Sequence, residues 1–291
     1  MVYYQNFVMN TILFLDGSNT SIYLLNLIKK NKFFKIKKII ISPNIKNLVK
    51  FKNKNYIKTD FKKKIKIGTY DIGFSYYDFK IPKKILDKIK IGGINFHPSF
   101  LPYNRGRHSA FWGIVKNTKL GASAHWLTSN FDSGDIFYQD QLIDNQNYTG
   151  KDIYNKQLNL LKKVMTKTVD LIKKGQIVKV KQDKNKATYH FAKDIKDYIS
   201  FKIENKISNY KLSRIIRGTT FNKKTGIYLF DNKYQYLINS SFKIKNYNNN
   251  KKYNLKFKKL FGSLYDKKKI KFIIYLNKIK MIVNSRAYLL K

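Results

Sequence analysis

The chain contains no cysteine among its 291 residues. Disulfide bonds and thiolate nucleophiles are therefore excluded, and the composition suits a reducing compartment. The four histidines are scattered and form no His-Glu-x-x-His sequence, so we predict no metal site. No apolar run approaches the ~18 residues that a membrane span needs, and the first residues lack a signal-peptide pattern. We therefore expect a cytoplasmic protein without a membrane partner.

Acidic residues are also scarce: 17 Asp and Glu face 60 Lys and Arg, which gives a formal net charge of +43 at pH 7. Such a field attracts anions, and one interpretation is a nucleic-acid partner. The excess, however, is lysine spread along the chain, and Lys, Asn, Ile, Tyr and Phe are over-used together, as AT-rich codons would produce. Arginine, which base contacts favour, occurs only at Arg105, Arg107, Arg214, Arg217 and Arg286. We interpret the charge as compositional.

Hydrophobic residues make up 43% of the chain, enough for a substantial core. Short apolar runs predict buried strands at residues 11–15, 38–42, 70–75 and 93–96, and later at 122–127 and 135–139. Helical patterns lie between or after them, at about 19–30, from Pro82 with Ile85, Leu86 and Ile89 on one face, at 109–117 and at 150–174. This alternation predicts an α/β class: a Rossmann-like, mostly parallel sheet with flanking helices over residues 1–185.

The pattern changes after residue 185. A helix near 210–217 precedes short alternating runs, such as residues 226–230 and 270–276, with turns expected at 231–232 and 277–278 and a polar hairpin loop at 246–252. Strands without intervening helices predict a second, small domain over residues 186–291, in which a helix is followed by antiparallel strands with a possible barrel-like closure.

Two polar residues, Asn95 and His97, occur at the end of the predicted fourth strand. A third, Asp132, follows 35 residues after His97. Ligands of open α/β sheets bind outside the carboxyl ends of the strands, so these side chains can converge there. An amide, an imidazole and a carboxylate together can position an amine, accept its proton and stabilise an oxyanion. The set predicts acyl transfer without a covalent enzyme intermediate.

Residues 93–102, followed by Arg105-Gly106, Gly121 and residues 132–136, resemble the folate-dependent formyltransferases. The family pattern is Asn-x-His-x-Ser-Leu-Leu-Pro, with an Asp some three dozen residues on inside Asp-x-Gly, and Phe100 replaces the usual Leu. The resemblance implies 10-formyltetrahydrofolate as the formyl donor, which leaves as tetrahydrofolate, and no metal.

The resemblance also implies that Asn95, His97 and Asp132 are catalytic. The Asn95 amide and a protonated His97 would donate to the oxyanion. His97, or a water held by Asp132, would take the proton of the amine. Asp132 would orient His97 and favour its imidazolium form, as a neighbouring carboxylate does.

The similarity extends over residues 71–77 and Ile81-Pro82, which border the folate pocket in the family. It implies folate contacts from Ser75, Tyr76, Tyr77, Ile81 and Asp132.

Two members of the family predict different amines. Residues 102–112 resemble the sugar N-formyltransferases, several of which carry Tyr-Asn-Arg/Lys-Gly followed by an aromatic-Trp pair. The connection over residues 43–69 is short for the basic insertion of methionyl-tRNA formyltransferase. The resemblance therefore implies transfer of a formyl group to the amine of a nucleotide-linked amino sugar, with a place in polysaccharide biosynthesis. Methionyl-tRNA formyltransferase, with tRNA as partner, is the alternative.

The substrate-binding residues that this resemblance implies are Pro98, Tyr103, Asn104, Arg105 and Arg107. A guanidinium suits a diphosphate through paired N–H donors. Arg105 has a second interpretation as a structural loop arginine, and Phe111 and Trp112 have one as core residues. A binding module that kept the fold without catalysis also stays open, as does a homodimer through exposed strand edges.

Overall fold

The computed structural model describes residues 8–45, 56–145, 148–202, 209–221, 226–230, 235–246, 257–259, 270–276 and 279–288. The turns predicted at 231–232 and 277–278, and the polar loop beyond Asn246, lie outside these residues. The described residues fall into two compact units. One takes its residues from Met1–Ser109, Lys119–Ile143 and Asn155–Tyr189, and the other from Ala110–Thr118, Asp144–Tyr154 and His190–Lys291. A single boundary at residues 185–186 stays a prediction.

Seven described strands of the first unit form one sheet, in the order β3-β2-β1-β4-β5-β7-β8. The bounds are β1 Met9–Leu15, β2 Phe34–Ile41, β3 Tyr56–Lys58, β4 Tyr70–Tyr76, β5 Ile89–His97, β7 Leu120–Trp126 and β8 Ile136–Leu142, with a short β6 at Arg105–Gly106. The pairs from β3 to β5 are parallel, whereas β5–β7 and β7–β8 are antiparallel. The predicted Rossmann-like, mostly parallel α/β fold is confirmed.

The main helices lie close to their predicted positions. They are α1 Asn19–Lys30, α3 Ser109–Lys116 and α4 Gly150–Lys173. Ser18 caps α1, because its hydroxyl accepts a hydrogen bond from the Ser21 N–H at 3.3 Å. In α4, apolar residues at helical spacing are buried, as an amphipathic helix against a sheet requires: Leu161, Val164, Met165, Val169 and Ile172.

The helix expected from Pro82 is much shorter than predicted. The structure has α2 at Lys83–Leu86, and Pro82 precedes it in an extended conformation. Ile89, expected on the helix face, instead begins β5 and lies opposite Tyr70 of β4. The Tyr70 N–H donates to the Lys88 carbonyl at 2.8 Å. The chain after α2 therefore pairs with β4 as a strand and does not continue as a second helical turn. Of the connection over residues 43–69, residues 46–55 lie outside the described part.

The core lies on both faces of the sheet. Leu13 and Leu15 of β1 pack in one cluster with Phe74, whereas Ile12 and Phe14 pack in another. Successive strand residues point to opposite faces, so both faces of β1 are covered. This explains why the central strands are continuous apolar runs rather than alternating ones. The carboxyl ends of these buried strands provide the edge at which polar side chains reach the surface.

The second unit contains the helices α5 Lys196–Ile199 and α6 Asn209–Thr219. Its described strands are β10 Ser200–Lys202, β11 Ile227–Phe230, β12 Gln235–Asn246, β13 Phe257–Lys259, β14 Ile270–Leu276 and β15 Ile279–Tyr288. They form a sheet in the order β10-β11-β12-β15-β14-β13, in which every pair except β10–β11 is antiparallel. A helix followed by antiparallel strands agrees with the prediction, and barrel-like closure stays a prediction.

Short elements lie between the two sheets in sequence: 3-10 turns at Lys184–Lys186 and Ala192–Ile195, and β9 at Tyr189–His190. Over the part of the chain that the structure describes, no helix has the length and apolar character needed to cross a membrane.

Candidate active site

Three polar side chains meet at the carboxyl end of β5. Asn95 and His97 are among its last residues, and Asp132 lies in the loop that joins β7 to β8. The Asn95 amide nitrogen is 3.4 Å from one oxygen of Asp132, and His97 Nδ1 is 3.7 Å from the other. His97 and Asp132 are each only 7% exposed, whereas Asn95 is half-buried. The structure therefore brings together the amide, imidazole and carboxylate that the sequence predicted as one site.

Asp132 is ionised in this site. Burial raises the pKa of its carboxyl, but its interactions with the His97 and His125 imidazoles and with the Gly106 N–H outweigh burial and hold the pKa well below its usual range. The Gly106 N–H donates to Oδ2 at 2.8 Å. The backbone of Asp132 is left-handed, with φ 51°, a conformation that Asp adopts more readily than most residues other than glycine. The site thus contains a fixed negative charge.

His97 is neutral near pH 7, which differs from the expected imidazolium. Burial lowers the pKa of His97 more than the Asp132 carboxylate raises it, and the charges of His125 and Arg107 lower it further. Its Nε2 lies 3.2 Å from the Asn104 carbonyl, to which a protonated nitrogen donates. Asp132 acts in the predicted direction, but the loss of hydration at a buried imidazole is larger. A neutral imidazole beside an ionised carboxylate can accept a proton.

We predict that acidification destabilises the fold because of this buried histidine. An unfolded histidine titrates near pH 6.5, whereas the native pKa of His97 is lower. Below about pH 6.5 the unfolded chain therefore binds a proton that the native state does not, and the stability present above that pH is lost as the pH falls. The melting temperature should fall between pH 7 and pH 5, and less so in His97→Gln. An equal fall in both proteins would contradict the assignment.

His125 lies in the centre of the site, although the sequence did not predict it there. This β7 residue is 2% exposed, and its Nε2 is 3.1 Å from the Asn95 amide nitrogen and 3.3 Å from Asp132 Oδ1. Its Nδ1 is 3.0 Å from the Trp126 carbonyl, to which an N–H donates. His125 lies opposite Asn95 in the antiparallel register of β5 and β7. Only that register reveals its place, because nothing near His125 in the sequence marks it.

The segment predicted to border a folate begins beside the site. Ser75 ends the buried part of β4 and lies opposite Asn95 in the parallel pairing of β4 with β5. Tyr76 and Tyr77 are half-buried, and the Tyr77 hydroxyl donates to the Thr59 carbonyl. Burial raises the pKa of Tyr77, so the phenol stays protonated. Ile81, by contrast, is 4% exposed and packs in the apolar cluster of Ile12 and Phe14. Ser75 therefore lies beside Asn95 at the site, whereas Ile81 is part of the apolar core.

The loop after β5, which was predicted to bind substrate, makes backbone hydrogen bonds that hold the residues of the site in place. Asn104 is buried with φ 56°, its N–H donates to the Thr188 hydroxyl at 2.7 Å and its carbonyl holds His97. The carbonyls of Pro98 and Tyr103 accept hydrogen bonds from serine hydroxyls, each at 2.7 Å. These backbone contacts fix the loop directly after β5.

The two loop arginines differ in what they contact. Arg105 donates from Nε and Nη2 to Gln182 Oε1, at 3.1 and 2.8 Å, so its paired donors already have a protein partner. This contact favours the interpretation of Arg105 as a structural arginine. Arg107 is exposed and donates to the Asp78 carbonyl at 3.0 Å. Phe111 and Trp112, 0% and 2% exposed, are core residues.

Within the described residues, no three His, Asp or Glu side chains are grouped to hold a metal ion.

The region around the site is similar to known proteins. Residues 30–169, which include Asn95, His97 and Asp132, match the family model described as "Formyl transferase". Methionyl-tRNA formyltransferase from Halothermothrix orenii is 29% identical over 136 residues, which are 46% of this chain and 40% of that protein. The chain spans less than half the length of the curated relatives it matches.

Several solved structures share the fold. WlaRD, a sugar 3N-formyl transferase crystallised in the presence of dTDP and 5-N-formyl-THF, has a TM-score of 0.70 and 22% identity, over 95% of this chain and 98% of that one. Methionyl-tRNA formyltransferase from Clostridium thermocellum has a TM-score of 0.53 and 19% identity, over 82% and 94%. Residues 30–169, which contain the candidate site, belong to the formyl transferase family.

Proposed function

We propose that the protein transfers a formyl group from 10-formyltetrahydrofolate to the amine of a nucleotide-linked amino sugar. The observation that carries this proposal is the convergence of Asn95, His97 and ionised Asp132 at the carboxyl edge of the sheet, inside the region that matches the family. The similarity to WlaRD over nearly the whole of both chains supports a nucleotide sugar and a folate as ligands. Ser75, opposite Asn95, and the half-buried Tyr76 and Tyr77 suit the folate side of such a site.

Each side chain has a distinct part in the proposed reaction. The folate supplies an activated formyl carbon, which the substrate amine attacks. The Asn95 N–H donates to the formyl oxygen as negative charge develops there. Neutral His97 accepts the proton that the amine loses, and the ionised Asp132 carboxylate 3.7 Å away stabilises the resulting imidazolium. His97 then returns that proton to the departing folate nitrogen. The new C–N bond replaces the old one, and no acid or base is consumed.

A second candidate is formylation of methionyl-tRNA. The Halothermothrix orenii relative carries that name, and the +43 charge would attract an RNA backbone. One observation favours the sugar instead. The loop after β5 contains the Tyr103-Asn104-Arg105-Gly106 run that resembles the sugar enzymes.

A substrate panel tests the choice. Purified protein would be incubated with 10-formyltetrahydrofolate and either dTDP- and UDP-linked amino sugars or charged initiator tRNA. We expect an N-formyl product from at least one amino sugar and matched release of tetrahydrofolate. The N-acetylated form of the same sugar is the control, because it offers no free amine. Formylation of tRNA alone would establish the alternative, and no formylation of either would favour a binding module.

A further inference from the structure

Gln182 is a buried polar residue that the proposed reaction does not use. It is 9% exposed and both ends of its amide are engaged. The Nε2 group donates to the Asp132 carbonyl at 2.9 Å and to the Gly134 carbonyl at 2.6 Å. The Oε1 atom accepts both hydrogen bonds from Arg105. One side chain therefore joins two separate loops.

Those two loops are the ones that place the Asp132 carboxylate. The first loop sets the backbone of Asp132, including its left-handed φ of 51°. The second presents the Gly106 N–H that donates to Oδ2 at 2.8 Å. The Arg105 N–H also donates to the Thr188 carbonyl at 2.9 Å, so backbone contacts also tie the second loop to the segment that carries Gln182. If Gln182 lost its contacts, the carboxylate would lose support from both sides.

We propose that Gln182 is a positioning residue that fixes the Asp132 carboxylate relative to His97 and Asn95. The inference rests on the proposed function, in which Asp132 stabilises the imidazolium of His97. Gln182 touches neither the amine nor the folate in this proposal, and acts only through Asp132. Arg105 is the hydrogen-bond donor that holds Gln182 in place. This role explains why the paired N–H donors of Arg105 contact a glutamine.

The chemistry of the amide separates this role from simple anchoring of Arg105. A glutamate at position 182 would keep an acceptor for Arg105, but it would face the carbonyls of Asp132 and Gly134 without a donor. It would also place a second negative charge near Asp132. An anchoring role predicts that Gln182→Glu is tolerated. A positioning role predicts that it is harmful. Gln182→Met removes all four hydrogen bonds while keeping a similar volume, so it tests the role with little loss of packing.

Kinetics give the first readout. We expect kcat to fall by about 10- to 100-fold in Gln182→Met and at least as much in Gln182→Glu, since small displacements of catalytic groups have effects of this size. KM should change by less than about 2-fold, because substrate contacts are retained. Gln176→Ala, which truncates an exposed glutamine of the same segment, is the matched control and should behave as wild type.

A double variant shows whether the effect runs through Asp132. In an Asp132→Asn background, Gln182→Met should cost less than about a further 2-fold, because independent effects would instead multiply. A full multiplicative loss, or a Gln182→Glu variant as active as wild type, would overturn the proposal.

A readout without turnover separates this inference from the proposed function. The chain has four histidines, so their titrations can be followed individually by NMR. Asp132 raises the pKa of His97, and Gln182→Met should therefore shift the His97 titration downward, in the same direction as Asp132→Asn. An unchanged His97 titration would overturn the positioning role. If both variants shift the His97 titration in this way but the wild-type protein formylates no amine, the proposed function alone is overturned.

Discussion

His97→Ala should lower kcat by about 100- to 10,000-fold, the range that a positioned acid or base contributes. The neutral imidazole is the group at this site that can accept the proton of the amine and return it to the folate nitrogen. Asp132 cannot replace it, because its pKa is held well below the usual range and it is a weak base. The measurement is the steady-state rate of N-formyl product with the amino sugar that the wild-type protein accepts.

The fold should survive this change. Asp132 would keep its contacts with Gly106 and His125. Far-UV circular dichroism and the melting temperature would establish this directly. His108→Asn is the matched control, because His108 is an exposed histidine of the same unit whose φ of 61° an asparagine accepts. Wild-type turnover by folded His97→Ala would remove the catalytic assignment.

The sequence was sufficient to predict the three residues of the site because their signals are local or lie on neighbouring strand ends. Asn95 and His97 end a buried strand, and the parallel sheet places its carboxyl edge toward a ligand. His125 and Gln182 could not be predicted in the same way. The position of His125 depends on the antiparallel pairing of β7 with β5, and that of Gln182 on a contact with Asp132, 50 residues away in the chain. Long-range pairings of this kind leave no periodic pattern in the sequence.

The protonation state of His97 shows a second limit. The neighbouring Asp132 carboxylate was enough to predict a contribution that raises the pKa of His97, but not the net shift of that pKa. Burial makes the net shift downward, and burial depends on how β5, the loop after it and the Asp132 loop enclose the ring. The short helix at Lys83–Leu86 has a similar cause, because strand pairing at Tyr70 and Lys88 outweighed a locally plausible helical pattern. Tertiary contacts therefore set both the charge of the site and the length of the helix at Lys83–Leu86.

The glycine of the Asp-x-Gly pattern has a steric reason that predicts a large effect. A Cβ added at Gly134 would lie 1.9 Å from the Trp126 carbonyl oxygen, and the neighbouring Trp126 N–H donates to Asp135 at 2.9 Å. Neither backbone can move without breaking the end of β7. We expect Gly134→Ala to lower the free energy of unfolding by about 3 kcal/mol.

The same displacement should also reduce formyl transfer in any Gly134→Ala protein that folds, because Gly134 shares with Asp132 the hydrogen bonds from Gln182. Gly68→Ala is the control: the nearest atom to an added Cβ is the Tyr70 hydroxyl at 3.9 Å, so its unfolding free energy should stay within about 0.5 kcal/mol of wild type. Denaturant unfolding of both variants measures the difference. Equal stability of the two variants would show that the Asp132 loop does not pack against Trp126. That result would also contradict the proposal that this loop positions the Asp132 carboxylate.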